Sequence, residues 1–527
     1  MRGQLMKRLS MIVLCATLLA SLGAHAKTLR WASQGDYQTA DPYSQNETLT
    51  NLFAQQVHDT LVMRDKDMRI VPGLAVSWTQ VNPTTWRFNL RKGVKFHDGT
   101  PFTADDVVFS FERASHANSQ IRQYAIPVGK PRRIDELTVE FVQDKPNPIT
   151  LEHAAAIFIM SKAWAEKNKV ERPLSFKDRE ETFAARNANG TGPFILVSRE
   201  PGIRTVLRKN PAWWGTVTGN VEEIVYSPIG SDATRVAALL SGQVDFILDP
   251  PPQDIARLKA NKDIKVVEGQ ENRIIFFGFD QQRDELLYSN VKGRNPFKDR
   301  RVRQAVYQAI DIEALRSKTM RGAALPTGGI TPSTLPSTPE IEKRRPFDPE
   351  AAKKLLAEAG YPAGFEVTLD CPNNRYINDE EICVAVAAML SRIGIVTKVT
   401  AQPRATYFPK LEKFDTSFYM LGWGGAVTDA QTTLSPVLRS KDDKTGNGSF
   451  NYGRYVNPKL DALIDAAAVE TDAAKRRQTV TAALAEHNEQ VHHVPLHRQV
   501  IPWAMRSNVT VVHRPDNWLI AEWVRID

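Results

Sequence analysis

Recognition chemistry in this chain is concentrated where an indole sits among glycines. In Phe418-Tyr419-Met420-Leu421-Gly422-Trp423-Gly424-Gly425 the apolar and aromatic residues fit a buried strand. The glycines around Trp423 let the backbone come close to a bound molecule while the indole faces it, so the strand end reads as a recognition loop reaching Asp429. The same residues also read as a core strand running into an ordinary glycine turn. A second candidate is the basic-aromatic pair in Pro372-Asn373-Asn374-Arg375-Tyr376. The Arg375 guanidinium can take a carboxylate or phosphate in two-point fashion, or it can be an arginine in a surface loop. Tyr376 and Trp423 together suit stacking on a sugar ring or an apolar side chain. Arg404 and Asn46 complete a ligand-binding set of Trp423, Gly422, Gly424, Gly425, Asp429, Arg375, Tyr376, Arg404 and Asn46. If Trp423 lines a site, its replacement by Ala should weaken binding at least tenfold, about 1.4 kcal/mol, and leave the unfolding midpoint nearly unchanged.

Other reactive groups carry less. His492, His493 and His497 flank Val494-Pro495-Leu496, where proline stops a helix from gathering the imidazoles at metal-ligand spacings. No metal or cofactor is expected. Neither a Gly-x-Ser-x-Gly, a His-Glu-x-x-His nor a phosphate-loop pattern occurs, so nothing assembles a nucleophile with its base and an enzyme is not expected. Asp105-Asp106 reads as a solvated helix start favoured by the helix dipole.

The elements that must position these groups alternate. Lys27 to Ser33 alternates as a strand, and Asn46 to Leu61 has helical spacing at Leu49, Leu52, Phe53, Val57 and Leu61. Trp86-Arg87-Phe88-Asn89-Leu90 alternates as a half-buried strand, Asp98-Gly99 is a hairpin turn, and Thr103 can cap a helix carrying Val107, Val108 and Phe111. Val302, Ala305, Val306, Ala309 and Ile310 form a helical stripe, as do Ile382, Val386, Met389, Leu390 and Ile393. Asp348-Pro349 starts a helix that Gly360 ends. With strands such as Ile274 to Phe279 between these helices, the chain reads as α/β with mixed sheets.

Composition sets the compartment. Residues 1–26 read as a secretory signal: Arg2, Lys7 and Arg8, then the apolar run Met11 to Leu22, then Ala24-His25-Ala26 as the cleavage site. Cys15 follows Ile12-Val13-Leu14 without the small residue of a lipoprotein signal, and no later apolar run approaches the roughly 18 residues of a membrane span. A periplasmic address fits. The formal net charge of +8 is mild and scattered, which argues against nucleic acid as partner, and 42% hydrophobic residues support a folded globule. A chain of 527 residues should divide into two or three lobes. Past the signal only Cys371 and Cys383 remain, and in an oxidising compartment they pair as a disulfide worth roughly 3 kcal/mol on the chain-entropy account.

The block from Leu74-Ala75-Val76-Ser77-Trp78 through Trp86-Arg87-Phe88-Asn89-Leu90 and His97-Asp98-Gly99-Thr100-Pro101 resembles the signature of the periplasmic peptide- and nickel-type solute-binding proteins that feed ABC importers. Gly190-Thr191-Gly192-Pro193-Phe194, Asn210-Pro211-Ala212-Trp213-Trp214-Gly215, Leu240-Ser241-Gly242-Gln243-Val244-Asp245, Asp299-Arg300-Arg301-Val302-Arg303 and Pro495-Leu496-His497 extend the resemblance in the same order. It implies a bilobal periplasmic-binding-protein type II fold with an extra inserted domain and a ligand cleft between two main lobes. The expected division is 27–66, 190–288 and 501–527 for the first lobe, 67–189 for the insertion and 289–500 for the second lobe. The implied partners are a peptide or other small solute and the permease subunits of an ABC transporter, with the receptor itself a monomer.

In the dipeptide-binding branch of that family the loop reads Gly-Trp-x-Gly-Asp-x-x-Asp-Pro, and its first Asp holds the peptide ammonium. Here that position is Ala426, while Asp429 keeps the second Asp and Ala430 replaces the proline. The arginine that branch uses for the peptide carboxylate falls near Glu380 or Glu381. With both anchors missing, an unmodified dipeptide is a poor fit, because a buried ammonium without a carboxylate costs several kcal/mol. A peptide held through its backbone, or an opine-like or sugar-phosphate anion held by Arg375, remain as alternatives.

Overall fold

The computed structural model describes residues 27–332, 337–424 and 429–527. The expected signal segment, Gly425 and Ala426 lie outside them. Two α/β halves share one large mixed sheet of eleven strands. In the first half, Thr28–Ser33 runs parallel to Glu223–Pro228 and Phe246–Leu248, with Arg204–Lys209 and Phe194–Glu200 beyond. In the second, Phe365–Pro372 runs parallel to both Ile395–Gln402 and Phe418–Gly424. Parallel neighbours need crossover connections, which the helices Asp379–Ser391 and Arg404–Glu412 supply.

Two long antiparallel strands, Ile264–Phe279 and His493–Arg506, tie the halves together. Their N- and C-terminal parts serve different cores. Trp503 packs with Trp31, Phe53 and Tyr226 in the first half, whereas Phe277, Phe279 and Val494 pack with Phe297, Val306 and Phe418 in the second. Between these cores the register slips from Gln270 to Ile274. A slip bends and twists the ladder at the place where the halves meet.

A separate four-stranded antiparallel sheet orders Ala75–Asn82, Thr85–Leu90, Thr138–Val142 and Lys130–Asp135. The helix Ala104–Ala114 covers it, with Phe111 4.5 Å from Phe141. Arg113 from that helix makes a fully buried two-point pair with Asp41, at 2.8 and 2.6 Å. Removing either partner would leave an uncompensated buried charge, which typically costs about 3–5 kcal/mol.

Local signals explain most element starts, and two readings change. Asp106 is not solvated: it closes a capping box with Thr103 and also accepts from the Lys162 amide at 2.9 Å, while Asp105 alone faces solvent beside Arg133. The helix expected over Asn46 to Leu61 is Thr48–Val57. It stops at His58 because Asp59, buried, is held instead by Thr191, Trp213 and Trp214. Cys371, on a strand, and Cys383, on the following helix, form the expected disulfide. No helix among the described residues is long and apolar enough to cross a membrane.

Candidate functional site

A cleft opens between the halves, beside the slip in the long strands. Its inner end is electrostatic. Glu47 caps the helix Thr48–Val57 through Oε2, which accepts from the amides of Leu49 at 2.9 Å and Thr50 at 3.3 Å. Its Oε1 is left for two cations of the other half, Arg375 Nε at 2.9 Å and Arg404 Nη1 at 2.9 Å. Burial pushes the Glu47 pKa up, but the two guanidiniums and the helix amides outweigh it and hold the carboxyl below the usual range. Arg375 also donates to Thr48 Oγ1 at 3.2 Å, and Arg273, from the slipped segment, donates to the same oxygen at 2.6 Å. Arg273 is balanced by Glu271 at 2.7 Å. Two guanidiniums thus converge on one hydroxyl at the cleft wall.

The aromatic wall differs from the expectation in what its glycines do. Gly422 and Gly424 line the cleft, yet the close approach they permit is to protein. A Cβ on Gly422 would sit 2.5 Å from the Tyr376 ring, and one on Gly424 would sit 1.8 Å from the Asn272 carbonyl oxygen. Tyr376 in turn donates from its hydroxyl to the Gly422 carbonyl at 3.3 Å. Trp423 lines the same cleft but is only 7% exposed. Its indole N–H is spent on the Thr432 carbonyl at 2.9 Å, and its ring packs 4.7 Å from Phe450. It is a wall residue with a share in the core, so the expectation of an unchanged unfolding midpoint on replacement is corrected.

The remaining expected residues separate. Arg375, Tyr376 and Asn46 line the cleft. Arg404 is set behind it, held by Glu47 and by the Asn374 carbonyl at 3.2 and 2.5 Å. Asp429 is absent from the described lining and is paired with Arg476 at two points, 2.8 and 2.6 Å. His492 and His493 are structural: His487 meets His493 at 2.9 Å, and the His492 ring stacks on Tyr455. Among the described residues no group of three or more His, Cys, Asp or Glu is arranged to hold a metal.

Several lining residues escaped the sequence reading. Glu47 and Arg273 did so because their partners are hundreds of positions away. At the outer end, Gln120 accepts from the Asn46 amide at 3.0 Å and donates to Glu412 at 2.5 Å, bridging the two sides of the cleft. Phe408 and Glu412, four positions apart on the helix that Arg404 opens, both line the cleft. Tyr124, Tyr452 and Trp518 complete the aromatic lining.

This arrangement can grip an elongated solute between stacking surfaces and charged ends. Residues 69–445 match the family described as "Bacterial extracellular solute-binding proteins, family 5 Middle". Heme-binding protein A of Haemophilus influenzae is 30% identical over 478 residues, 86% of this chain and 83% of that protein. The glutathione-binding protein GsiB of Escherichia coli K12 is 26% identical over 508 residues, 94% of each. Among solved structures, the binding protein AgaA of A. tumefaciens R10, in complex with agropinic acid, superimposes with a TM-score of 0.82 at 25% identity, covering 95% of this chain and 99% of that one.

Proposed function

The chain belongs to the bacterial extracellular solute-binding proteins of family 5, and from that premise we propose that it is the periplasmic substrate-binding component of an ABC importer, capturing a peptide or peptide-like small solute and delivering it to an inner-membrane permease. The observation that carries the reading is the Glu47 triad. One carboxylate from the first half meets Arg375 and Arg404 of the second, contacts that join the halves at the inner end of the cleft. Closure about the slipped segment 270–274 of the two long strands is the conformational change a permease would read. A solute held at micromolar affinity supplies about −8 kcal/mol, ample to bias such a hinge. The relative that binds glutathione supports a small peptide-like ligand. In this reading the signal 1–26 is removed on export, the mature protein is a monomer, 67–189 forms the inserted domain, and the lobe divisions are those expected above.

A second reading, an anionic opine-like or sugar-phosphate solute, is favoured by Arg273 and Arg375 converging on Thr48 and by the resemblance to the agropinic acid complex. One experiment separates the readings. Mass spectrometry of the small molecule that copurifies with the exported protein should return a peptide-like solute on the first reading and an opine or phosphate ester on the second. Chemical turnover of that solute by the pure protein would instead point to a hydrolase.

A further inference from the structure

Two carboxyls line the described part of the cleft, and they are in opposite situations. Glu47 is spent on two arginines. Glu412, at the far end, receives only the Gln120 amide and has no cation within ion-pair distance among the described residues. It lies four positions after Phe408 on one helix, and Tyr124, Phe450 and Tyr452 line the cleft with it. Rings of this kind present their negative faces to cations, and a carboxyl among them completes a box for a charged nitrogen. On its other side Glu412 faces an outer, more open chamber. The charged groups there are committed elsewhere or exposed. Arg122 donates to the carbonyls of Asp443 and Lys444, both at 2.8 Å, and Lys441 meets Asp443. Lys177 and Asp178 act on Glu412 at longer range and with opposite sign.

We propose that Glu412 is the cation-reading residue of the cleft, binding an ammonium or other protonated nitrogen of the solute where Ala426 leaves the loop without an acid. The inference rests on the peptide-like reading above and assigns that ligand a polarity. Its anionic end lies toward Arg375 and Arg273, and its cationic end toward Glu412 among the rings. Burial raises the Glu412 carboxyl to about 7, so below that pH it is protonated in the closed protein. A cationic nitrogen arriving beside it favours the carboxylate, and the displaced proton leaves to solvent. Capture of a cationic solute therefore releases a proton below about pH 7, and capture of its neutral analogue does not.

The test uses ligand-free wild-type protein with Glu412→Gln and Glu412→Asp, each checked for an unchanged melting temperature. The probes are Met-Leu against N-acetyl-Met-Leu, and glutathione against N-acetylglutathione, titrated calorimetrically at pH 6 in buffers of different ionisation enthalpy. In the wild type, at least one free-amine probe should bind about tenfold or more tighter than its acetylated partner, the scale of one charge-assisted contact, and should release a proton. Glu412→Gln should abolish both the preference and the proton release while leaving the acetylated probe's affinity nearly unchanged, and Glu412→Asp should restore part of each. A preference that survives in Glu412→Gln, or acetylated probes that bind as well as free ones, overturns the role of Glu412 and leaves the peptide-like reading intact. Failure of all four probes to bind overturns the peptide-like reading and this inference with it.

Discussion

Glu47→Gln isolates closure from folding, because the two oxygens of Glu47 serve different masters. Oε2 caps a helix inside one half, and Oε1 alone holds both arginines of the other. The amide oxygen of Gln can keep the cap, which turns an NH₂ group toward two guanidiniums. An NH₂ cannot accept from a guanidinium, so the charge-assisted bond from Arg404, worth about 1.5–3 kcal/mol, is lost outright together with the weaker Arg375 ion pair, roughly 2–3 kcal/mol for the two. Arg404 keeps its Asn374 carbonyl and Arg375 keeps Thr48, which holds the figure below the 3–5 kcal/mol typical of a stranded buried charge. The loss should appear as about 30–150-fold weaker affinity for the copurifying solute by calorimetry, with a more open envelope by small-angle scattering and little change in melting temperature. The pH dependence has a definite sign. The Glu47 pKa is depressed in the closed form, so its contribution is complete above the ordinary carboxylate pKa and is lost only as pH falls through the depressed value. Wild-type affinity should therefore owe no change to this group between pH 7 and pH 5. An affinity within twofold of wild type, or a large fall in melting temperature at unchanged affinity, would falsify the closure argument.

Three further outcomes are expected. Trp423→Ala should weaken solute binding at least tenfold and also cost about 3–5 kcal/mol in chemical unfolding, because the indole is packed on Phe450 and bonded to Thr432 as well as facing the cleft. Intact stability after that substitution would mean the wall is not packed as described. Denatured, unreduced mature protein should show no free thiol in a colorimetric titration, since Cys371 and Cys383 are paired; two reactive thiols per chain would refute it. Thermal stability should fall as pH drops from about 6.5 toward 4. Burial depresses His58, His153 and His487 to about 4, so the unfolded chain takes up protons there that the folded protein refuses. A melting temperature flat across that interval, with the carboxylates still ionised, would contradict the neutral burial of these rings.

What was legible in the sequence was local. Caps at Thr103 and Asp348, the turn at Gly99, the strand ending at Trp423 and the disulfide follow from residues a few positions apart, and each is found in place. The residues that charge the cleft were hidden by sequence distance. Glu47 looks like any acid ahead of a helix until the fold delivers Arg375 and Arg404 to it. Glu412 carried a weak signal in its spacing from Phe408, but Pro409 inside that helix breaks the usual signature of one. Gly422 and Gly424 carried an ambiguous signal for a related reason, since a need for close approach does not say whether the neighbour is a ligand or the protein's own Asn272.

The His493–Arg506 strand has a consequence for how the molecule comes into being. Phe246–Leu248 waits for residues 503–505, and Ile264–Phe279 waits for 493–506 along most of its length. A polypeptide made N-terminus first therefore holds open edges in both halves until those late residues arrive. Afterwards it must zip up non-locally and all at once, slowly and with a need for protection from its neighbours while the edges are bare.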